Sequence, residues 1–203
     1  MVSIEKIYHF PPLNIKLILP DPALLQKTWE EKQLKDFPFW GKCWPAAIAL
    51  STFITNHSKL IEGKLVLELA AGLALPSLVA ANFAKKVITS DYLPEPLDFV
   101  NASIRENNIS NIETRIINWQ HIPDDLSADV LLLSDINYDP HAFEMLDQLL
   151  TYFLEKDTLI ILSTPQRIMA KSFIDKWLSF QVIQEEFVDE QGVRVTVFLL
   201  KKQ

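Results

Sequence analysis

Cysteine, glycine and positive charge are all scarce in this 203-residue sequence. The single cysteine, Cys43, cannot form an internal disulfide, which is typical of proteins from a reducing compartment. The sequence has neither a Cys-x-x-Cys pair nor a His/Cys cluster, so we expect no metal site. No apolar stretch approaches the roughly 18 residues of a membrane span, and the first ten residues lack the apolar core of a signal peptide. We therefore expect a soluble cytoplasmic protein without a membrane partner.

The charge balance is acidic, because 26 Asp and Glu residues outnumber 19 Lys and Arg residues and give a net charge of −7. A generic nucleic-acid-binding protein would be expected to carry a basic surplus, so nucleic acid is not an expected partner. Hydrophobic residues make up 49% of the chain and charged residues 22%, which is ordinary for a packed globular protein. The length fits one domain with a modest extension.

Short apolar runs alternate with segments of helical periodicity, which predicts an α/β fold. The predicted strands are 64–69, 86–90, 114–117, 128–134, 158–163, 181–188 and 193–200, and the predicted helices are 46–55, 75–84, 94–107, 142–154 and 167–178. The alternation indicates a doubly wound, Rossmann-like, seven-stranded sheet that is mostly parallel. The last two strands flank Gln191-Gly192 as a hairpin, so the final strand is expected to run antiparallel.

The N-terminal segment does not follow this alternation. Residues 1–35 are predicted to form an arm or hairpin that does not fold independently, and residues 36–203 the main domain. Two apolar segments within 4–19 flank Pro11-Pro12, which indicates either a hairpin or an extended arm. The polar stretch 21–35 is a candidate helix.

Acidic residues stand where three predicted strands end: Glu68 in the first, Asp91 after the second and Asp135 after the fourth. Ligands of open parallel sheets bind at the carboxyl ends of the strands, so we expect these acids in one crevice. The loop after Glu68 is built of small residues, and its Gly72 can adopt a positive φ, which allows a ligand to approach closely.

A carboxylate at Asp91, 19 residues beyond Gly72, suits the ribose hydroxyls of a nucleoside cofactor. A dinucleotide would call for Gly-x-Gly-x-x-Gly, of which this loop supplies one glycine. Glu68 is also badly placed for a pyrophosphate because like charges repel. A cationic nucleoside such as S-adenosylmethionine fits an acid-rich crevice better, and a dinucleotide oxidoreductase stays as a minor alternative.

These motifs together resemble the seven-β-strand (class I) S-adenosylmethionine-dependent methyltransferases. The resemblance covers roughly residues 37–201 and rests on Lys64–Ser77 (KLVLELAAGLALPS), Ser90-Asp91-Tyr92, Asn118-Trp119 and Asp135-Ile136-Asn137-Tyr138. The last of these is similar to the Asp-x-x-Tyr motif of the lysine-methyltransferase-like family. The segment Pro38–Pro45 (PFWGKCWP) is similar to a stretch in the electron-transfer-flavoprotein lysine methyltransferases.

The resemblance implies roles for the matching residues. It implies cofactor binding by Trp44, Glu68, Ala70, Gly72, Asp91, Tyr92, Asn118, Trp119 and Ser134. Glu68 and the backbone of 70–72 would hold the methionine part, Asp91 would bind the ribose, and residues 92, 118 and 119 would lie at the adenine. The catalytic residues implied are Asp135 and Tyr138, facing the methyl group and the acceptor amine. The sequence departs from the family where Ala70 and Ala74 replace loop glycines and Asn118 replaces an acid.

The function implied is methyl transfer from S-adenosylmethionine to a nitrogen, with a lysine side chain of a protein as the leading acceptor. Two alternatives stay open from the sequence. One is a methyltransferase acting on a small amine, and the other is a cofactor-binding partner subunit that has lost catalysis. The sequence leaves the oligomeric state open as well.

Overall fold

The computed structural model describes residues 2–31, 37–123 and 126–202. Fifteen helices and strands make up most of this part of the chain. They are β1 (Ser3–Phe10), β2 (Leu13–Pro20), α1 (Pro22–Glu31), α2 (Pro45–Asn56), β3 (Leu65–Leu69), α3 (Leu75–Ala80), β4 (Lys86–Asp91), α4 (Pro94–Glu106), β5 (Ile112–Ile116), β6 (Val130–Ser134), α5 (Phe143–Glu155), β7 (Leu159–Pro165), α6 (Lys171–Trp177), β8 (Gln181–Val188) and β9 (Arg194–Leu200).

The main sheet has seven strands in the order β5-β4-β3-β6-β7-β9-β8. Neighbouring strands are parallel from β5 to β7, whereas β9 pairs antiparallel with both β7 and β8. The predicted fold class is confirmed, including the antiparallel last strand. Strand order reverses between β3 and β6, and this reversal creates the crevice in which ligands of such sheets bind.

The central strands are apolar because helices cover both faces of the sheet. Val130–Leu133 of β6 are entirely buried. Side chains of β3 alternate between the two faces, so that Val66 joins the core cluster that contains Phe53 of α2, and Leu67 joins the cluster that contains Phe153 of α5. By this period of two, Glu68 points to the same face as Val66, toward α2 and α3.

Some element boundaries differ from the sequence-based expectation. α3 ends at Ala80 rather than Ala84, because the Asn82 side chain donates to the carbonyls of Leu78 and Val79 and turns the chain out of the helix. α6 begins at Lys171 rather than 167, because the backbone of Arg167 is extended and residues 168–170 form a separate 3₁₀ turn. β5 occupies Ile112–Ile116 rather than 114–117, and β6 begins at Val130 rather than 128.

The N-terminal segment forms a β-hairpin in which β1 and β2 pair along their whole length. β2 packs along α4, where the backbone amides of Lys16 and Ile18 donate to Asn107 and Ser103 at 2.9 Å each. The predicted polar helix is present as α1 up to Glu31. Its remaining residues, 32–35, and the predicted domain boundary at 35/36 lie outside the described residues. Within the described ranges, no helix is long and apolar enough to cross a membrane.

Candidate active site at the carboxyl edge of the sheet

The three predicted acids lie at one edge of the sheet, on strands that neighbour one another. Glu68 is in β3, Asp91 ends β4 and Asp135 follows β6. α2 begins at the same edge, because the Ser163 hydroxyl of β7 donates to the Ala46 carbonyl at 2.7 Å. The Asp135 amide in turn donates to the Ser163 carbonyl at 2.9 Å. The crevice is therefore bounded by β3, β4, β6, β7 and the start of α2.

The loop between β3 and α3 takes three left-handed backbone conformations. Gly72 has a φ of 53°, as its expected role requires, but Ala70 and Ala74 are also left-handed, with φ of 52° and 55°. An alanine in this region costs roughly 1–2 kcal/mol because its Cβ crowds the following carbonyl. The two alanines thus keep a backbone path suited to glycine, and the loop retains its shape at a cost in stability.

Asp91 ties this loop to the one that follows β4. One carboxylate oxygen accepts from the Gly72 amide at 3.0 Å, and the other accepts from the Leu93 amide at 3.1 Å. The residue is 5% exposed, and burial raises the pKa of its carboxyl against the opposing effect of these amides. A carboxylate has about four acceptor positions, so the ones left over suit a diol such as ribose.

Glu68 is fully buried, and its two oxygens are unequally satisfied. Oε2 accepts from the Ser77 amide at 2.9 Å and from the Ser77 hydroxyl, whereas Oε1 has no hydrogen-bond partner. Burial raises the pKa of this carboxyl to about 8, although the bonds from Ser77 lower it. An orphaned carboxyl oxygen at this edge fits a cationic ligand, which would stabilise the ionised form.

Asp135 is bonded to an arginine that the sequence analysis missed. Both of its oxygens meet the Arg167 guanidinium, with Nη2 to Oδ2 at 3.0 Å and a second, shorter contact from Nη1. The Asp135 backbone is left-handed, with a φ of 55°, which fixes the direction of the carboxylate. Arg167 lies two residues beyond β7, so the same strand-end rule that selected the three acids could have selected it.

Arg167 also lines a cavity of about 350 Å³ beside this pair, between the end of β7, α6 and β9. Other residues in its wall include Gln166, Ile168, Ile174, Thr196 and Phe198. Two residues of the loop that carries Arg167 are strongly exposed although apolar, Ile168 at 97% and Met169 at 54%. This side of the crevice is therefore open and apolar at its rim.

Asn137 is a second residue that the sequence analysis did not assign. It lies between Asp135 and Tyr138, is fully buried, and neither its amide nitrogen nor its oxygen has a hydrogen-bond partner. Leaving such groups unsatisfied costs about 1–3 kcal/mol each. Tyr138 and Tyr92, in contrast, are 59% and 57% exposed at the rim.

The remaining predicted residues also lie around this edge. Trp44 immediately precedes α2, and its indole nitrogen donates to the Phe39 carbonyl at 2.9 Å. Asn118 caps the turn after β5 by accepting from the Gln120 amide at 3.0 Å. Trp119 faces a cavity of about 240 Å³ against α5, and Ser134 pairs in register with Ser163. Among the described residues, no three His, Cys, Asp or Glu side chains are grouped to hold a metal ion.

A family model for lysine methyltransferases matches residues 28–180 of this chain. The chain belongs to this lysine methyltransferase family. Membership confirms the family resemblance that the sequence indicated and decides against the dinucleotide alternative. The finer assignments to individual site residues stay predictions.

Curated relatives of this chain include enzymes that are named for two different acceptors, arginine and lysine. Human histone-arginine methyltransferase METTL23 is 29% identical over 145 residues, or 66% of this chain and 76% of the relative. The mouse electron transfer flavoprotein beta subunit lysine methyltransferase is 25% identical over 164 residues, or 77% and 62%. The chain spans about half the length of METTL23 from mouse, rat and Xenopus laevis, at 47%, 53% and 48%.

Solved structures share the fold over nearly the whole chain. SMU.776, a putative methyltransferase complexed with SAH, aligns with a TM-score of 0.68 at 16% identity and covers 98% of this chain and 56% of its own. A putative RNA methyltransferase from Pyrococcus horikoshii aligns with a TM-score of 0.60 at 19% identity. The alignment covers 83% of this chain and 89% of the Pyrococcus protein. At these identities the likeness concerns the methyltransferase fold.

Proposed function

We propose that this protein is an S-adenosylmethionine-dependent N-methyltransferase that modifies a lysine side chain of a protein. The single observation that carries the proposal is the division of one crevice into two parts. Glu68, Asp91 and the loop 70–74 form one part, and Asp135 and Tyr138 form the other.

The first part suits the cofactor. Glu68 Oε1 is buried without a hydrogen-bond partner, which suits pairing with a cationic group, and residues 70–72 of the loop carry no bulky side chains. The free acceptor positions of Asp91 would bind the ribose hydroxyls. Tyr92, Asn118 and Trp119 would surround the adenine, and Trp44 and Ser134 would close the crevice over the methionine part.

The second part suits the acceptor. When bound, S-adenosylmethionine supplies a methyl group already activated by its sulfonium, so this chain mainly has to align the nucleophile. A lysine amine has a pKa of about 10.4 and must lose its proton to solvent before its lone pair can form the C–N bond. The C–S bond breaks in the same step, and its electron pair stays on sulfur. Asp135 and Tyr138 would orient the amine.

A protein acceptor fits the surroundings of Asp135 better than a small amine. Ile168, Met169 and Tyr138 expose large apolar surfaces at the rim, and such side chains are typical contact points for a polypeptide. The net charge of −7 attracts lysine-rich segments. Because the cavity beside Arg167 also has the size of a small-ligand pocket, the experiment includes free amines.

Arginine is a second candidate acceptor, and a specific observation favours it. The Asp135 carboxylate already binds a guanidinium, that of Arg167, through two contacts, so this position is able to recognise one. The METTL23 relatives are named for histone arginine. Lysine stays the leading candidate because Arg167 already contacts both oxygens of Asp135. A second guanidinium would have to displace Arg167 in order to bind there in the same way.

Methyl transfer can be tested with radiolabelled S-adenosylmethionine, using cell lysate, histones and simple amines as acceptors. We expect label in a protein band, with methyllysine after acid hydrolysis, and at least 10-fold less label with Asp135→Ala or Tyr138→Ala. Methylarginine would select the second candidate. Label only in amines would select the small-molecule alternative, and no calorimetric binding at millimolar cofactor would overturn the proposal.

A further inference from the structure

The pair between Arg167 and Asp135 changes the electrostatics expected of the acceptor site. Their side chains are 30% and 11% exposed, so the pair is only partly screened by water. The two residues are 32 positions apart and belong to the loops after β7 and β6, which are adjacent parallel strands. The contact is thus a product of the sheet order, at the place where the acceptor is expected.

A carboxylate without a counter-ion would hinder the methyl transfer that Asp135 is proposed to assist. A negative charge within about 4–6 Å of an amine raises the amine's pKa by about 1–3 units, which keeps it as an unreactive ammonium ion. A guanidinium bound to both oxygens of that carboxylate offsets this effect. The oxygens can still accept a hydrogen bond from an uncharged amine.

We propose that Arg167 is a positioning residue that neutralises Asp135, so that the acceptor site takes an uncharged amine rather than an ammonium ion. The proposal rests on the proposed N-methyltransferase function and extends it by naming what sets the protonation state of the acceptor. Arg167 acts through Asp135 and is not itself assigned a contact with the reacting atoms.

Other charged groups surround the pair and also contribute to the electrostatic potential at the acceptor site. They are Lys171 and Asp175 of α6 in the cavity wall, Glu186 of β8 next to Gln166, Asp139 and His141 after Tyr138, and Glu68 in β3. Lys171 and Asp175 carry opposite charges, and Glu186 is bonded to the Gln166 amide at 2.9 Å. Among the described residues, Arg167 is the cation whose contact with Asp135 is direct.

The test compares wild type with Arg167→Gln and measures kcat and KM for a lysine peptide between pH 6 and 10. With Asp135 left uncompensated, the kcat profile should shift to higher pH by about 1 unit or more, so that kcat at pH 7 falls about 10-fold. KM at pH 7 should fall, because the ammonium ion binds better, and kcat should approach the wild-type value at pH 10.

Two further variants separate charge from shape. Arg167→Lys keeps a cation beside Asp135 and should restore most of the wild-type pH profile. Arg194→Gln is the matched control, because it makes the same substitution at an exposed side chain whose backbone contacts Gln166. It should leave the profile in place. An Arg167→Gln enzyme whose kcat is reduced equally at every pH, or whose KM rises, would overturn the proposal.

A binding measurement keeps this inference separate from the proposed function. Calorimetry at pH 7 in the presence of SAH would measure the affinity for n-butylamine, which is an ammonium ion at that pH. Arg167→Gln should bind it about 10-fold more tightly than wild type. Equal binding would count against the role of Arg167 even in an active enzyme. If the wild type methylates no lysine but still binds n-butylamine more weakly than Arg167→Gln does, the proposed function alone is contradicted.

Discussion

The two parts of the crevice differ in how their carboxyl groups are held. In the cofactor half, defined by Glu68, Asp91 and the loop 70–74, both acids are buried and accept from backbone amides or a serine. In the acceptor half, defined by residues 135–138 and 166–169, the acid is bonded to a partly exposed arginine and the rim is apolar. Hydrogen bonds from backbone amides and a serine hold the acids of the first half, whereas an ion pair between side chains holds the acid of the second.

This difference matches what the proposed function demands of each half. One invariant cofactor is bound best by a rigid, preorganised site, because little ordering entropy is then lost on binding. A polypeptide acceptor needs an open rim on which a side chain can enter and leave. Substitutions at five positions test whether the two halves are separable.

The largest effect is expected at Asp91. Asp91→Ala removes the proposed ribose acceptor and leaves the Gly72 and Leu93 amides without their partner, so affinity for S-adenosylmethionine should fall about 100-fold. Calorimetry measures this loss, and Asp91→Asn reports it with less disturbance of the loops. Asp98→Ala removes an exposed carboxylate from α4 and serves as the control. Unchanged affinity in Asp91→Asn would contradict the assignment.

The next largest effect is expected at Asn137, in the acceptor half. Asn137→Leu replaces an unpartnered buried amide with an apolar side chain of similar size, so the free energy of unfolding should rise by about 1–2 kcal/mol. Methyl transfer should nevertheless fall about 10-fold if the amide is reserved for a ligand. Thr89→Val is the matched control, since the Thr89 hydroxyl is also buried and unpartnered but lies inside β4. Full activity in Asn137→Leu would assign the residue to packing.

Glu68 should make the stability of the cofactor-free protein depend on pH. Its folded pKa of about 8 lies above the usual 4.5, so the folded state holds a proton that the unfolded state has lost between these values. The free energy of unfolding should therefore fall as pH rises from about 4.5 to 8. Glu68→Gln stays neutral, and its melting temperature should exceed that of wild type by a few degrees more at pH 8 than at pH 5.

The control for this prediction is Glu62→Gln, which removes the same charge at an exposed position. It should not reproduce the widening difference in melting temperature. A wild-type protein whose stability rises between pH 5 and 8, with Glu68→Gln following the same curve, would show that the carboxyl is ionised in the folded state.

The smallest effect is expected in the loop. Ala74→Gly removes the strain of a left-handed alanine at φ 55° and should raise the free energy of unfolding by about 0.5–1 kcal/mol in urea denaturation. Gly72→Ala should lower it by about 1 kcal/mol, because φ at 72 is also positive although the new Cβ would meet the Trp40 carbonyl at an ordinary 3.4 Å. Destabilisation by Ala74→Gly would show that packing of the methyl group outweighs backbone strain.

Much of the cofactor half could be predicted from the sequence because its signals are local. Strand, loop and helix follow one another within 64–80, and Gly72 marks one loop position with a left-handed backbone. The bond from the Gly72 amide to Asp91 joins two consecutive strand ends, which the alternating pattern already places side by side. The left-handed conformations of Ala70 and Ala74 could not be predicted in this way, because alanine rarely adopts a positive φ and its presence does not indicate one.

The acceptor half shows where this reasoning stops. The sequence by itself determined seven strands with their helices, their buried apolar faces and three acids at strand ends, because periodicity and turn residues are properties of neighbouring positions. Only the tertiary structure decided that the Arg167 guanidinium contacts the Asp135 carboxylate and that the Asn137 side chain is left without a hydrogen-bond partner. Such contacts depend on the direction in which each side chain leaves the backbone and on what packs around it, and the order of residues along the chain does not encode these quantities.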